Sequence, residues 1–207
     1  MKRLQVGLLC AAVLFGSFDD ADARRSYAGV KGGVNKANVI GDDVDALDPT
    51  NLFMGGAFFG IDFTEDFGAR LDALYVQKGA EGPFTAPGET VASDATLSLD
   101  YIEFPLLLLV DFPTGDSFAF NLFLGPTFGF NLSAEADVEG VGTTDLDAES
   151  FEFGATFGGG VEYMLESMSI IGDFRYALGA TDIFDGVKAK NTGVGLMVGV
   201  KFPLGER

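Results

Sequence analysis

The segment from Phe118 to Asn131 reads FAFNLFLGPTFGFN, and two kinds of residue alternate along it. Every second position from Phe118 to Phe130 is apolar, whereas the positions between them are mostly small or polar. A β-strand turns successive side chains to opposite faces of its sheet. The segment therefore predicts a strand with one apolar face and one face of small and polar side chains.

The same alternation recurs along the rest of the chain. Segments 151–163 and 192–203 repeat it clearly, with glycines on the small-residue face. Each segment is long enough to cross a bilayer as a tilted strand of about 9–11 residues. The segments of this kind lie at 26–37, 51–63, 67–79, 95–111, 118–131, 150–163, 168–180 and 192–203.

The connections between these segments alternate in length. Long connections lie at 38–50, 80–94, 132–149 and 181–191, and short ones at 64–66, 113–116 and 165–167. Outer-membrane barrels have short periplasmic turns and longer extracellular loops. The sequence therefore predicts an all-β fold, an eight-stranded antiparallel up-and-down transmembrane β-barrel. A soluble sandwich or lipocalin-like binding barrel is the alternative, and it would bury one face and wet the other.

The N-terminus has the pattern of a secretory signal peptide. Lys2 and Arg3 precede the apolar stretch 4–18, and Ala21-Asp22-Ala23 offers a small-residue cleavage site. The stretch is shorter than the roughly 20 residues of a membrane-spanning helix, and no later run is longer than 104–110. We expect residues 1–23 to be a cleaved signal peptide, residues 24–207 to be the barrel domain, and the location to be the outer membrane of a Gram-negative-type envelope.

The composition excludes several classes of function. The chain of 207 residues has a formal charge of −18, a sign opposite to that of nucleic-acid-binding proteins. It contains no His, which removes Ser-His and Cys-His catalysis and His-ligated metal sites. Cys10, the one cysteine, lies in the predicted signal peptide. We expect no enzymatic activity, no cofactor and no nucleic-acid partner.

Charged residues also lie on the face that the strands would turn inward. A barrel of eight strands is just wide enough for its own inward side chains, so we expect a filled lumen. Buried charges must be paired, so we predict a structural ion-pair network with Arg70, Glu103, Glu162 and Arg175 near its centre. A proton or ion relay is the alternative. The full inward set is Lys31, Arg70, Asp72, Glu103, Glu162, Asp173, Arg175 and Lys201.

The long loops contain most of the remaining negative charge. Without residues 1–23 the chain has 11 basic and 28 acidic residues, and 15 of the latter lie in the four long loops. Clustered carboxylates could bind Ca²⁺ or Mg²⁺ weakly, but no loop has the spacing of a known calcium loop. We favour a solvated, repulsive surface. Loop acids are Asp42, Asp43, Asp45, Asp48, Glu81, Glu89, Asp94, Glu135, Asp137, Glu139, Asp145, Asp147, Glu149, Asp182 and Asp185.

Aromatic residues could form the interfacial girdles of such a barrel. Trp is absent, so Phe and Tyr would have to supply both girdles. Tyr27, Tyr75, Tyr163 and Tyr176 lie near strand ends or at outward positions. Their alternative role is that of simple strand formers.

Several short motifs span essentially the whole chain after residue 23. They are LDYIEFPLL at 99–107, GVKGGVN at 29–35, LGPTFG at 124–129, GGGVEY at 158–163, RY at 175–176 and VGVKF at 198–202. In their order and spacing these motifs resemble the PorT-type outer-membrane β-barrel domain family. The resemblance implies an eight-stranded barrel in the outer membrane and transfers little about activity.

We therefore expect an integral outer-membrane protein with a structural or surface-interaction role. A transport or secretion accessory, or a small-solute pore, is the alternative. The expected partners are outer-membrane lipid, envelope or secretion proteins, and divalent cations bound weakly by the acidic loops. We expect a monomer.

Overall fold

The computed structural model describes residues 25–41, 48–84, 93–138, 142–184, 186 and 188–204. The predicted signal peptide and several loop acids, among them Asp42 and Glu89, lie outside the described residues. Within the described part of the chain, no helix has the length and apolar character needed to cross a membrane. All of the regular structure described is β-strand.

The chain runs through strands joined by turns and loops. Their bounds are β1 Arg25–Ile40, β2 Asp48–Asp62, β3 Phe67–Phe84, β4 Ser93–Thr114, β5 Phe118–Val138, β6 Gly142–Asp145, β7 Phe151–Met164, β8 Ser169–Gly179 and β9 Lys190–Leu204.

The strands close into one antiparallel barrel. Strand β1 pairs with β2 on one side and with β9 on the other, from Ser26↔Leu204 to Ile40↔Lys190. The order β4-β3-β2-β1-β9-β8-β7-β5 is closed by the pairing of β4 with β5. Closure leaves no free edge in the wall, as a bilayer requires of a membrane-spanning sheet. The predicted eight-stranded antiparallel barrel is confirmed.

The loop ends of the strands correct the sequence prediction. Strand β3 continues to Phe84 rather than ending at residue 79, and β5 continues to Val138 rather than 131. The predicted loop 132–149 also contains β6, which pairs only with the end of β5. The end of β5 still alternates in sequence, from Leu132 to Val138, but a register shift opposite Asp100 and Tyr101 changes the face of its residues. Leu132 is therefore exposed whereas Ala134 is buried.

The short turns lie together at the opposite end of the barrel. In the β2–β3 turn, Thr64 Oγ1 accepts hydrogen bonds from the amides of Asp66 and Phe67, at 3.3 and 3.0 Å. In the β4–β5 turn, Gly115 has a φ of 74°, a left-handed conformation that costs glycine nothing. We take the turn end as periplasmic and the loop end as extracellular.

The outer surface of the barrel is a belt of apolar side chains. Along β5, Leu122 and Leu124 are 58 and 63% exposed, whereas the inward Phe123 is 2% exposed. A soluble barrel would have the opposite arrangement, so the soluble alternative is wrong. Other exposed members of the belt include Val30, Val34, Phe53, Phe67, Leu106, Leu108, Phe112, Phe120, Phe157, Val161, Phe174, Leu196, Val198 and Phe202.

The tyrosines do not all belong to this belt. Tyr163 faces outward beside Phe118, with ring centres 5.3 Å apart. Tyr27, by contrast, is 4% exposed and packs edge-on against Phe58 in the lumen. The prediction that Tyr27 lies in the girdle is wrong, because its position on β1 shares the inward parity of Lys31.

Candidate functional site

The centre of the lumen is occupied by a charged cluster from three strands that are not neighbours. Lys31 of β1 donates through Nζ to Asp72 of β3 and Asp173 of β8, at 2.8 Å in each case. The side chains of all three residues are at most 2% exposed. A single ammonium group therefore joins opposite walls of the barrel.

Two arginines complete this central cluster. Arg70 Nη2 lies 2.9 Å from Asp173 Oδ2, and its Nε lies 3.1 Å from Asp72 Oδ1. Arg175 Nη2 lies 3.0 Å from Asp72 Oδ2 and 3.2 Å from Asp173 Oδ2. Three cations thus share two carboxylates, which leaves the central cluster with one excess positive charge.

Aromatic faces lie against these cations. The Phe58 ring centre is 5.1 Å from Lys31 Nζ and 5.7 Å from the Arg70 guanidinium carbon. The Phe123 ring centre lies 5.0 Å from that carbon and 5.8 Å from its counterpart in Arg175. The negative face of an aromatic ring attracts a cation at such distances. The two rings therefore help to stabilise the excess positive charge.

A glycine on β7 makes room for this arrangement. Gly158 faces inward opposite Arg175. A Cβ at this position would lie 2.8 Å from the end of the Phe123 ring and would press on the backbone of β8. The lumen therefore accommodates the Phe123 ring, and β8 approaches this closely, because this position of β7 has no side chain.

A second cluster, which we call the upper cluster, lies toward the extracellular end. Lys78 Nζ is 2.7 Å from Glu103 Oε1 and 2.5 Å from Glu152 Oε1. Asn191 Nδ2 donates to Glu152 Oε2 and, at 3.4 Å, to the Tyr101 hydroxyl. One cation here faces two carboxylates, so the upper cluster has one excess negative charge.

A small cavity separates the two clusters. It has a volume of ≈ 20 Å³, and its lining includes Lys78, Glu103, Glu152, Asn191 and Arg175. One water molecule needs about 10–15 Å³ of such space and two or more polar partners. The cavity can therefore hold about one water between layers of opposite net charge, and it is too small for a solute.

A third pair lies toward the periplasmic end. Lys201 Nζ is 2.8 Å from Glu162 Oε2, and it lies 4.2 Å from the centre of the Tyr27 ring. The Lys201 side chain is 22% exposed, so this pair borders on solvent.

The extracellular mouth is closed by an apolar plug. Ile183, in the β8–β9 connection, is 2% exposed and packs among residues of β1, β3, β4 and β5. Its amide donates to the carbonyl of Ala189, and its carbonyl accepts from the amide of Glu149, both at 2.8 Å. The plug comprises Val39, Ala80, Leu99, Tyr101, Ala134, Ile183 and Ala189, with Leu97, Leu146, Ala148 and Phe184 packed against them.

The four residues predicted near the centre of a single network are divided among these groups. Arg70 and Arg175 meet in the central cluster through Asp72 and Asp173. Glu103 belongs to the upper cluster and Glu162 to the periplasmic pair, so the prediction of a common centre is wrong for both. The two glutamates lie at different heights along the barrel axis. Parity shows that a side chain faces inward, but its height also depends on the tilt of the strand, which parity does not give.

Sequence reasoning missed Lys78 and Glu152. Lys78 has the same parity as Arg70 and Asp72 but stands at the end of the predicted strand, where a charge is usually solvated. Glu152 lies on the small and polar face of 151–163. Parity alone would have found both residues.

The described residues offer no arrangement of three or more carboxylates that could hold a metal ion. The acidic loop residues in the described part of the chain are Asp48, Glu81, Asp94, Glu135, Asp137, Asp145, Asp147, Glu149 and Asp182. Weak binding of divalent cations by the loops stays a prediction.

Known structures share this fold. Neisserial surface protein A is 18% identical, with a TM-score of 0.51 over 86% of this chain and 96% of that one. The outer membrane protein OprG from Pseudomonas aeruginosa is 13% identical, with a TM-score of 0.51 over 89% of this chain and 97% of that one. At these identities the likeness shows the fold alone. Among curated proteins, none matches the sequence significantly.

A family model gives the stronger assignment. The model of the outer membrane protein beta-barrel domain matches residues 17–185, well over half of the chain. The structure agrees with this match, since it has a closed wall, an apolar belt and an alternation of short turns and long loops. The chain therefore belongs to the outer membrane protein β-barrel domain family and is an integral outer-membrane protein.

Proposed function

We propose that this barrel is a closed, non-enzymatic protein of the outer membrane, with a structural or surface-interaction role. The observation that carries the proposal is the filling of the lumen. The plug, the upper cluster and the central cluster follow one another down the barrel, and the cavity between the clusters has a volume of ≈ 20 Å³. A solute would have to break buried ion pairs in order to pass.

Planar-bilayer recording tests the closed lumen. We expect the purified barrel to show no stable conductance of porin size, because two charged layers and the plug obstruct the path. A regular conductance step from wild-type protein would contradict the proposal and favour the small-solute pore. A conductance carried by protons alone would favour a relay through the two clusters.

The loop end of the barrel supports a role at the cell surface. Strands β3, β4 and β5 continue beyond the predicted strands, and β6 extends this wall by one short strand. Exposed carboxylates lie on this extension, including those of Glu135, Asp137 and Asp145. Such a rim is solvated and accessible to a partner.

A transport or secretion accessory is the second candidate. The resemblance to the PorT-type family favours it, and the LDYIEFP motif of that resemblance lies in β4, with Glu103 in the upper cluster. Cross-linking in native membranes, followed by purification of this barrel, tests the candidate. Reproducible capture of one envelope or secretion protein would support an accessory role, whereas recovery of the barrel alone would favour the structural role.

Export by the N-terminal segment belongs to the same proposal. Cleavage after Ala23 would leave a chain that begins just before β1. The intact mass of the protein purified from outer membranes tests this, because a retained leader would add the mass of residues 1–23. Such a retained leader would contradict the predicted cleavage.

A further inference from the structure

The lipid-facing wall contains a groove that interrupts the apolar belt. The groove has a volume of ≈ 880 Å³ and crosses β1, β9, β8, β7 and β5. Two neighbouring rows of the sheet form it, and glycines take outward positions in both rows. One row is Gly32, Val198, Gly172, Val161 and Phe120, and the other is Val34, Leu196, Phe174, Gly159 and Leu122.

The glycines lower the floor of the groove, and large side chains form its walls. Phe174 and Leu196 are 51 and 56% exposed and stand beside Gly172 and Gly32. A Cβ at Gly32 would meet only one atom, the Met54 carbonyl oxygen at 3.8 Å, so the space above it is open. Hydrocarbon chains are the material that surrounds this part of the wall.

Two lysines face outward on the extracellular side of the groove, where β1 pairs with β9. Lys36, opposite Val194, is one outward row beyond the groove, and Lys190, opposite Ile40, is three outward rows beyond it. Lys36 is the next outward residue of β1 after Val34 in the direction of the extracellular loops. Lys190 faces outward on β9, because the following residue, Asn191, is 1% exposed and points into the lumen. Within the described residues neither lysine forms an ion pair.

Among the described residues, the outward strand positions beside these lysines carry no carboxylate. The outward neighbours on β1, β9 and β8 are uncharged, namely Asn38, Ile40, Thr192, Val194, Tyr176 and Leu178. Outside the lumen, the cations described in the extracellular half are Lys36, Lys188 and Lys190, all on β1, on β9 or just before β9. Of the described cations outside the lumen in the extracellular half, all therefore gather on this side of the barrel, where an anion would find them.

We propose that the groove, Lys36 and Lys190 form one binding site for a phosphate-bearing lipid of the outer leaflet. An acyl chain of the lipid lies over Gly32 and Gly172 between the large side chains. Its phosphate meets the two ammonium groups above. The site does not depend on the state of the lumen or on the role of the acidic loops. The results of the conductance and cross-linking experiments therefore do not decide whether it exists.

Native mass spectrometry of the detergent-purified barrel tests the site. The probes are dipalmitoyl phosphatidic acid and dipalmitoylglycerol, which have the same acyl chains and differ in the phosphate. We expect wild type to retain one phosphatidic acid molecule in preference to the glycerolipid. The double variant Lys36→Gln/Lys190→Gln should lose this preference. The ratio of retained phosphatidic acid to retained glycerolipid should fall by about fivefold for each lysine that is replaced.

Two further variants separate the groove from the lysines. Gly32→Leu fills the groove and should lower the retention of both lipids, whereas Ala57→Leu adds the same kind of side chain at a lipid-facing position outside it. Arg25→Gln removes a cation at the periplasmic end and should leave retention unchanged. A variant that fails to fold is identified by equal gel mobility before and after heating, since only a folded barrel changes its mobility on heating.

Three outcomes would overturn the proposal. Equal lipid retention by wild type and all variants would mean that the lipid surrounds the barrel without a specific site. If Gly32→Leu lowers lipid retention and the lysine substitutions have no effect, the site binds acyl chains and does not recognise the phosphate. A lipid-free dimer that Gly32→Leu converts to a monomer would mean that a second copy of the chain occupies the groove.

Discussion

Asp72 and Asp173 are the residues on which the central cluster depends. The Oδ2 atom of Asp173 lies within 3.2 Å of Lys31 Nζ and of both Arg70 Nη2 and Arg175 Nη2. The Oδ2 atom of Asp72 lies within 3.0 Å of Lys31 Nζ and Arg175 Nη2. Because cations outnumber carboxylates, the loss of an anion and the loss of a cation have unequal consequences.

Asp72→Asn should destabilise the folded barrel by about 3–5 kcal/mol, because it leaves buried cations without a counter-charge. Lys31→Met should cost less, since two arginines and two aspartates then remain in balance. Urea titration of the barrel in lipid vesicles measures both, with the folded fraction taken from gel mobility without heating. Asp116→Asn, in the exposed β4–β5 turn, is the control and should change nothing.

Equal losses of stability in the two variants would contradict this account. They would mean that hydrogen-bond geometry, and not the excess positive charge, determines the energy of the central cluster.

At the scale of elements, the β8–β9 connection behaves as part of the barrel interior rather than as a loop. Phe153 of β7 fixes its beginning, since the Phe153 carbonyl accepts from the amides of Ala180 and Thr181, at 2.8 and 3.3 Å. Ile183 then crosses to the opposite walls and packs in the plug. The connection is therefore held by backbone hydrogen bonds at its start and by apolar contacts at its tip.

Ile183→Asp should release this segment from the mouth, because an unpaired carboxylate in an apolar site costs several kcal/mol. The amides of residue 183 and Glu149 donate to the carbonyls of Ala189 and residue 183, and both should then exchange with deuterium much faster. Exchange in the strands below should not change. Asp182→Ala, at the exposed neighbouring position, is the matched control.

Unchanged protection of both amides in Ile183→Asp would show that the plug does not depend on this side chain. Porin-sized conductance in the same variant would show that the plug, and not the clusters beneath it, closes the lumen.

The strands themselves were largely predictable from the sequence. The period-two alternation located all eight wall strands, because each has one face in lipid and one in a crowded lumen. The prediction placed β6 and the far ends of β3 and β5 in long loops. In the structure, Ala80 and Ala134 at those ends of β3 and β5 are buried in the plug, whereas β6 is exposed throughout and is held by its pairing with β5.

At the scale of the whole molecule, charge and apolar surface occupy separate regions. The exposed belt is apolar, the lumen contains paired charges, and the described loop acids gather at one end. The position of the belt shows which part of the wall faces lipid. From the difference in length between turns and loops we expect the long connections outside and the short turns in the periplasm.

Cysteine labelling in intact cells tests this orientation. The barrel domain has no cysteine of its own, because Cys10 lies in the predicted signal peptide. Thr144→Cys in β6 should react with a membrane-impermeant maleimide, whereas Asp116→Cys in a short turn should react only after the outer membrane is opened. The reverse pattern would mean that the barrel is inserted upside down.

The sequence by itself determined the kind of protein, because lipid and a narrow lumen impose a two-residue period on every strand. It also determined which side chains face inward, because parity follows directly from that period. Only the tertiary structure decided which inward charges meet. Lys31, Asp72 and Asp173 are distant in sequence and lie on strands that are not neighbours, and their contact depends on strand tilt and closure. The same closure brought Ile183 into the mouth, and it placed Lys36 and Lys190 on paired strands, β1 and β9.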